Sequence, residues 1–293
     1  MDVIAYFNGF FFIPQEIFNK TYDTHIEELR AFRAYEEDLM MVRHHNLIYN
    51  AGKASFTRKI CDKSDMSLHK KRILLNGLSP PTESVTTKSA MDVPTFKKSP
   101  IHWDWRKHGL HWMEVKDQGT CGCCWAIVSA DALSAAVFIK SGNKIRFSEQ
   151  NLVDCNRNEE TGNWGCEGGF FEGAFKYIIG NNGIMDYDSY PYEGREGKCR
   201  FNESLSFNSS VIRLISYVTL PPNNETLLKD AVYNMPIAIG MNGNCESFFT
   251  YSEGIYYDRE CNSDNLTHAV LLVGYGTDSI FGDYWIAKNS WGE

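Results

Sequence analysis

Apolar and polar positions along this chain follow different periods in different segments. From Trp125 onward, Trp125, Val128, Ala132, Ala136 and Ile139 recur at helical spacing, which predicts an amphipathic helix opening at Cys124. After His268 the run Ala-Val-Leu-Leu-Val-Gly-Tyr-Gly is continuous, rich in β-branched residues and closed by glycines, as a buried strand would be. A polar turn separates it from a second strand pattern at residues 284–288, and shorter strand patterns occur at 211–215 and 237–239. Near the N-terminus, Leu29, Phe32, Leu39 and Val42 supply the apolar contacts of another helix. Residues 79–100, with Pro80, Pro81, Pro94 and many Ser and Thr, pack no core and read as an extended linker.

The chemistry concentrates where the first of these helices begins. The stretch Gln118-Gly119-Thr120-Cys121-Gly122-Cys123-Cys124-Trp125-Ala126 places a glutamine, a cysteine and a helix start within seven residues. A thiol at a helix N-terminus loses its proton more readily, and an imidazolium beside it adds to the effect, so Cys124 is placed to be an activated nucleophile. Three thiols this close are equally compatible with a zinc site or a disulfide, and the stretch alone leaves all three open. A cysteine nucleophile needs a base, and His268 is the only histidine beyond residue 111. A third group follows the second strand: the Asn289 side-chain carbonyl can accept one imidazole N–H and leave the other ring nitrogen facing the sulfur.

With those residues in order, the chain resembles the papain family of cysteine peptidases, most nearly its cathepsin L branch. The resemblance runs from about Phe18 to the C-terminus through Asp104-Trp105-Arg106, Ser148-Glu149-Gln150-Asn151-Leu152-Val153-Asp154-Cys155, Gly165-Cys166-Glu167-Gly168-Gly169 and Asn289-Ser290-Trp291-Gly292. It implies an α+β fold of two domains, a helical L domain over residues 99–210 and a β-barrel-like R domain over 211–293, preceded by a helical inhibitory propeptide over 18–98. Residues 1–17 remain an unassigned N-terminus, and cleavage is expected near residues 98–101. The resemblance makes Cys124 the nucleophile, His268 the general base and acid, Asn289 the orienting amide, and the Gln118 side chain with the Cys124 N–H the oxyanion hole. Trp291 would shield the His–Asn bond. An extended peptide would pair with Gly168 and Gly169, and Phe171, Gly240 and Ala269 would wall a pocket for a bulky hydrophobic side chain two residues before the scissile bond. By the same resemblance Cys121 pairs with Cys166 and Cys155 with Cys199. Cys245 is an available partner for Cys261, and Cys61 and Cys123 are left unassigned.

Departures from the family pattern are specific. Cys123 stands where the family has serine, and Ile127-Val128 where it has Phe-Ser; an accessible Cys123 could form a mixed disulfide beside the nucleophile. In the propeptide, Glu27, Tyr35, Val42 and Asn46 match the interspersed helical signature, with Ala31 and Asp38 in place of Arg and Asn. A second propeptide motif keeps only Asp65, with Lys59, Cys61 and Lys63 at its other places, which predicts weaker inhibition. The chain stops at Glu293, before the strands with which the family closes its barrel, so a longer parent protein is expected.

Composition narrows the context. With 293 residues, 43% hydrophobic and 14% aromatic, the chain is globular rather than disordered. Twenty-nine basic against 37 acidic residues give −8, with the acid excess confined to residues 100–293, which argues against nucleic-acid binding and suits an acidic compartment. Nine cysteines and Asn-x-Ser/Thr sequons at Asn19, Asn202, Asn208, Asn224 and Asn265 point to the secretory pathway, lysosomal or extracellular. Residues 3–13 are mostly apolar but lack the basic start of a signal peptide, and no run reaches the roughly 20 apolar residues of a membrane span. The expected protein is a monomeric endopeptidase zymogen without metal or cofactor. Its partners would be polypeptide substrates, its own propeptide and cystatin-type inhibitors. A catalytically silent papain-like binding protein and a metal-binding cysteine module are the competing readings.

Overall fold

The computed structural model describes residues 19–80, 94–202, 214–262 and 265–292. Residues 3–13, the linker through 81–93, the sequon at Asn208 and residues 211–213 of the expected strand lie outside them. In chain order the main elements are α1 His25–Asn50, β1 Phe56–Arg58, α2 Leu68–Leu74, β2 Trp103–Asp104, α3 Cys124–Ser141, α4 Glu149–Cys155, α5 Phe171–Gly180, α6 Glu225–Asn234, β3 Ile237–Met241, β4 Tyr251–Gly254, β5 His268–Asp278 and β6 Gly282–Lys288. They group into two units, Met1–Lys71 with Glu246–Asp258, and Arg72–Cys245 with Arg259–Glu293.

In the first unit, Thr24 caps α1 by accepting from the Glu27 N–H at 3.2 Å. The buried face of α1 is Ala31, Ala34, Tyr35, Asp38 and Val42, and it is narrow because two of its members are alanines. Leu29 differs from the sequence expectation. It lies two residues from Ala31, about 200° around the helix, and is 48% exposed. Asn46 pairs with both backbone groups of Arg58, at 2.9 Å each, so the end of α1 holds β1 in place. Strand β1 in turn pairs antiparallel with β4. Asp38 and Lys71 form a buried ion pair in this unit. Removing one partner strands the other charge away from water. Lys71→Met is expected to destabilise the unit by about 3–5 kcal/mol, and Asp38→Leu/Lys71→Met to recover most of it. Urea unfolding followed by the tyrosines of α1 measures both.

The second unit is built on α3. It is buried from Cys124 to Ala135 on all sides, not along one stripe, because α4, α5 and β5 surround it. The expected stripe therefore fails at its end: Ile139 is 38% exposed. Gly142 stops the helix in the left-handed conformation at φ 74°, its N–H returning to Phe138 O. By length and composition α3 is long and apolar enough to cross a membrane, but 72% of it is buried inside the protein, as in a core helix.

Facing α3 is an antiparallel sheet in which β5 is flanked by β2, β3 and β6. His268 pairs with Met241 and Ala269 with Gly240, while β6 returns along β5 with Leu271 opposite Lys288. The strand patterns at 237–239 and 284–288 lie in β3 and β6, as the sequence predicts. Leu214 and Ile215 belong to no strand: Leu214 packs half-buried against the core, while Ile215 is 82% exposed. Trp103 and Asp104 precede α3 yet join this sheet opposite Tyr275 and Gly274. Disulfides Cys121–Cys166, Cys155–Cys199 and Cys245–Cys261 tie the loops.

Candidate active site

The loop before α3 is held by backbone bonds on both sides. Gln118 N donates to Ser290 O at 2.8 Å, Gly292 N to Lys116 O at 3.1 Å, and Asp117 bridges antiparallel to Trp291. Gly122 N donates to Cys166 O at 3.0 Å beside the Cys121 disulfide; a Cβ on Gly122 would lie 2.5 Å from that oxygen, so only glycine fits. This threading places Cys124 as the first residue of α3, fully buried, where its sulfur accepts from the Ala269 N–H at 3.4 Å.

Ala269 follows His268 at the start of β5. The His268 Nε2–Asn289 Oδ1 distance is 2.7 Å, and Nδ1 is buried without a hydrogen-bond partner among the described residues. The Trp291 ring lies over the imidazole with centroids 4.6 Å apart. Gln118 is also buried: Oε1 accepts from Ser290 Oγ at 2.7 Å, and Nε2 donates to Cys121 O at 3.0 Å and Leu75 O at 3.1 Å.

Leu75 belongs to a segment that runs through the site. Gly77 N and Leu78 N donate to Thr267 O at 3.1 and 3.0 Å, Gly169 N donates to Gly77 O at 2.9 Å, and Ser79 N donates to Gly169 O at 2.9 Å. Leu78 thereby pairs parallel to Gly169. Trp291 Nε1 donates to Leu75 O at 2.8 Å. The Leu78 side chain lies against Gly240, where an added Cβ would be 2.7 Å from Leu78 Cδ2, and Leu266 closes the same spot. Gly168 approaches the segment at Ser79 and the Gly77 carbonyl. Phe171 opens α5 and stacks on Phe170 at 4.1 Å, both packed on the core cluster that holds Leu78 and Ala269.

Burial sets the protonation of the site. It pushes the Cys124 thiol up to about 12 against the pull of the Ala269 N–H, and drags the His268 imidazole down to about 4 against the opposing pull of Asn289. With both groups neutral, this state differs from the thiolate–imidazolium pair that the sequence predicts, because both groups are fully buried.

The three clustered thiols diverge. Cys121 is in a disulfide, Cys124 meets Ala269, and the Cys123 sulfur lies 2.9 Å from the Tyr192 hydroxyl, which donates to Gln118 O at 2.8 Å. Cys123 is fully buried, so it lacks the access a mixed disulfide needs, and burial pushes its thiol up further. Thr267, Leu266 and Phe170 were not legible as site residues. Thr267 acts through its carbonyl, which no side-chain pattern reveals, and the other two look like ordinary core positions.

Comparison with known proteins identifies the family. A model of the papain family cysteine protease matches residues 99–293, and one of the cathepsin propeptide inhibitor domain matches residues 15–69. The chain is 38% identical to cathepsin L of Sarcophaga peregrina over 280 residues, covering 93% of this chain and 80% of that protein. It is 39% identical to cathepsin S of Bos taurus over 283 residues, covering 95% and 82%. The solved structure of digestive procathepsin L 3 from the Tenebrio molitor larval midgut superposes with a TM-score of 0.81 at 34% identity, covering 95% of this chain and 87% of that one. A buried cysteine at a helix start, a histidine bonded to an asparagine, and an N-terminal inhibitor domain come together in one description: the chain belongs to the papain family of cysteine proteases, as a zymogen that carries a cathepsin-type propeptide.

Proposed function

We propose that Cys124 is the nucleophile of a cysteine endopeptidase, with His268 as its base and acid and Asn289 as the amide that orients the imidazole. One observation carries this reading: Asn289 fixes one ring nitrogen of His268 at 2.7 Å while the other has no partner among the described residues, and the next backbone N–H rests on the Cys124 sulfur. Once residues 72–80 leave, His268 Nδ1 takes the thiol proton and the thiolate attacks the peptide carbonyl carbon. The oxyanion that forms is bonded by the Gln118 side-chain N–H and the Cys124 backbone N–H. Its collapse expels the amine, which takes the proton from the imidazolium, and water then releases the acyl group by the reverse sequence. In the zymogen, Gln118 Nε2 is bound to Leu75 O, so the chain occupies its own oxyanion site.

The same reading gives the substrate class. An extended polypeptide would replace the segment along Gly168 and Gly169, and a bulky hydrophobic residue second from the scissile bond would take the place of Leu78 beside Gly240, Ala269 and Phe171. Three disulfides and exposed sequons such as Asn19 fit a secretory route to a lysosome or the cell exterior. The test is acidification of the full chain in the presence of a cysteine-directed epoxide, followed by peptide mapping and turnover of fluorogenic peptides. Labelling at Cys124 and a preference of about 10–200-fold for Leu or Phe over Gly at the second position are expected. Labelling at Cys61 or Cys123 instead, or turnover indifferent to that position, overturns the assignment.

A further inference from the structure

Helix α3 carries a second group with a bearing on the site. Asp131 lies seven residues, or about two turns, beyond Cys124 and is 5% exposed. Each of its carboxylate oxygens is taken by a different lysine: Oδ1 by Lys116 at 2.9 Å and Oδ2 by Lys288. Lys116 also binds Glu149 Oε2 at 2.9 Å, at the first residue of α4. Two half-buried lysines are thus matched by two buried carboxylates. Burial alone would raise the Asp131 carboxyl, but Lys116 and then Lys288 outweigh it and hold the group below the usual carboxylate range.

What matters is where the two lysines sit. Lys116 is two residues before Gln118, and Lys288 immediately precedes Asn289. In extended chain successive side chains point to opposite sides, so Lys288 reaches back to α3 while Asn289 faces His268. The two segments also run side by side, joined from Gln118 N to Ser290 O and from Gly292 N to Lys116 O. One carboxylate on the Cys124 helix therefore holds both backbone segments that present Gln118 and Asn289.

We propose that Asp131 is a positioning residue for peptide-bond hydrolysis, fixing through Lys116 and Lys288 where Gln118 and Asn289 stand relative to Cys124. The proposal rests on the assignment of Cys124, His268, Asn289 and Gln118 above. A buried ion cluster adds little net stability, because desolvation offsets the attraction, but its directional bonds restrict geometry. Misplacement by about 1 Å costs on the order of 100-fold in rate. A cavity of about 210 Å³ borders Lys116, Asp131 and Glu149, with room for water to solvate a neutral variant.

The experiment uses the full chain, activated by acid, with active sites counted by epoxide labelling. Asp131→Asn is expected to lower kcat by about 10–100-fold with KM within about twofold, and to shift the imidazole N–H proton resonance of His268 bonded to Asn289. Ser134→Ala, on the same helix but bonded to Phe147 N rather than to this cluster, controls for general weakening and should leave kcat and that resonance unchanged. If Asp131→Asn fails to fold, Asp131→Asn/Lys288→Met removes the stranded ammonium and should still show the kcat loss. Wild-type kcat in whichever variant folds, a loss confined to KM, or an unmoved resonance overturns the proposal. A wild-type chain that is neither labelled at Cys124 nor active would overturn the catalytic assignment itself, whereas an active wild type beside an equally active variant rejects only the role of Asp131.

Discussion

Cys124→Ser is expected to abolish turnover, by on the order of 10⁴-fold or more, while leaving the fold intact. The substitution exchanges sulfur for a smaller oxygen at a fully buried position, so little packing is lost and the Ala269 N–H keeps an acceptor. The chemistry changes far more. Even with the site opened to water, a thiol near its ordinary pKa of about 8.5 can give its proton to an imidazole near 6.5, but a serine hydroxyl is too weak an acid to do so. The measurements are kcat on a fluorogenic peptide, the thermal melting curve, and the length of the chain after acidification. Turnover above about 1% of wild type with an unchanged melting curve would show that Cys124 is not the nucleophile.

The second large effect belongs to Gly77. Its φ of +146° disfavours any side chain, and a Cβ there would lie 2.1 Å from Gly122 O and 2.3 Å from Gly122 C, backbone atoms that cannot rotate aside. Gly77→Val should therefore unseat the segment, breaking the bonds of Gly77 and Leu78 to Thr267 and of Gly169 to Gly77. At about 0.5–1.5 kcal/mol each, the loss is about 2–4 kcal/mol, or about 30–1000-fold in the closed-to-open ratio. Epoxide labelling of the intact chain at neutral pH should accelerate by that factor.

The wild-type chain should behave similarly when acidified, and the sign follows from His268. Closure holds its imidazole near 4, well below the ordinary 6.5, so the open state binds the extra proton between those values. Closure is then weakened as pH falls from about 6.5 toward 4. The elevated Cys124 thiol acts in the opposite direction, weakening closure above about 8.5, where the open state loses a proton. Labelling of the intact wild type should thus be slowest between about 6.5 and 8.5. Slow labelling of intact Gly77→Val at neutral pH, or no acceleration of the wild type on acidification, would show that this segment does not close the site.

Much of this protein is determined by local pattern. The helix at Cys124 follows from a glycine-bearing loop ahead of a run of helix-compatible apolar residues, and the hairpin of β5 and β6 from two strand patterns around a polar turn. The order Cys, His, Asn and the residues flanking them narrow the chemistry, because few side chains can make, hold and orient a thiolate. Other features depend on residues far apart in sequence meeting in space. That Leu29 faces water while Asp38 is buried follows from which side of α1 the rest of its unit covers, not from hydrophobicity. That the dyad is neutral follows from the burial of both groups by packing that brings distant parts of the chain together. The clasp of Asp131 on Lys116 and Lys288 joins positions 15 and 157 residues apart, and in the sequence each is an ordinary charge. Sequence determines the periods and the reactive groups because these depend on neighbours along the chain. Only the tertiary structure decides desolvation and charge pairing, because both depend on what packs against each group from elsewhere.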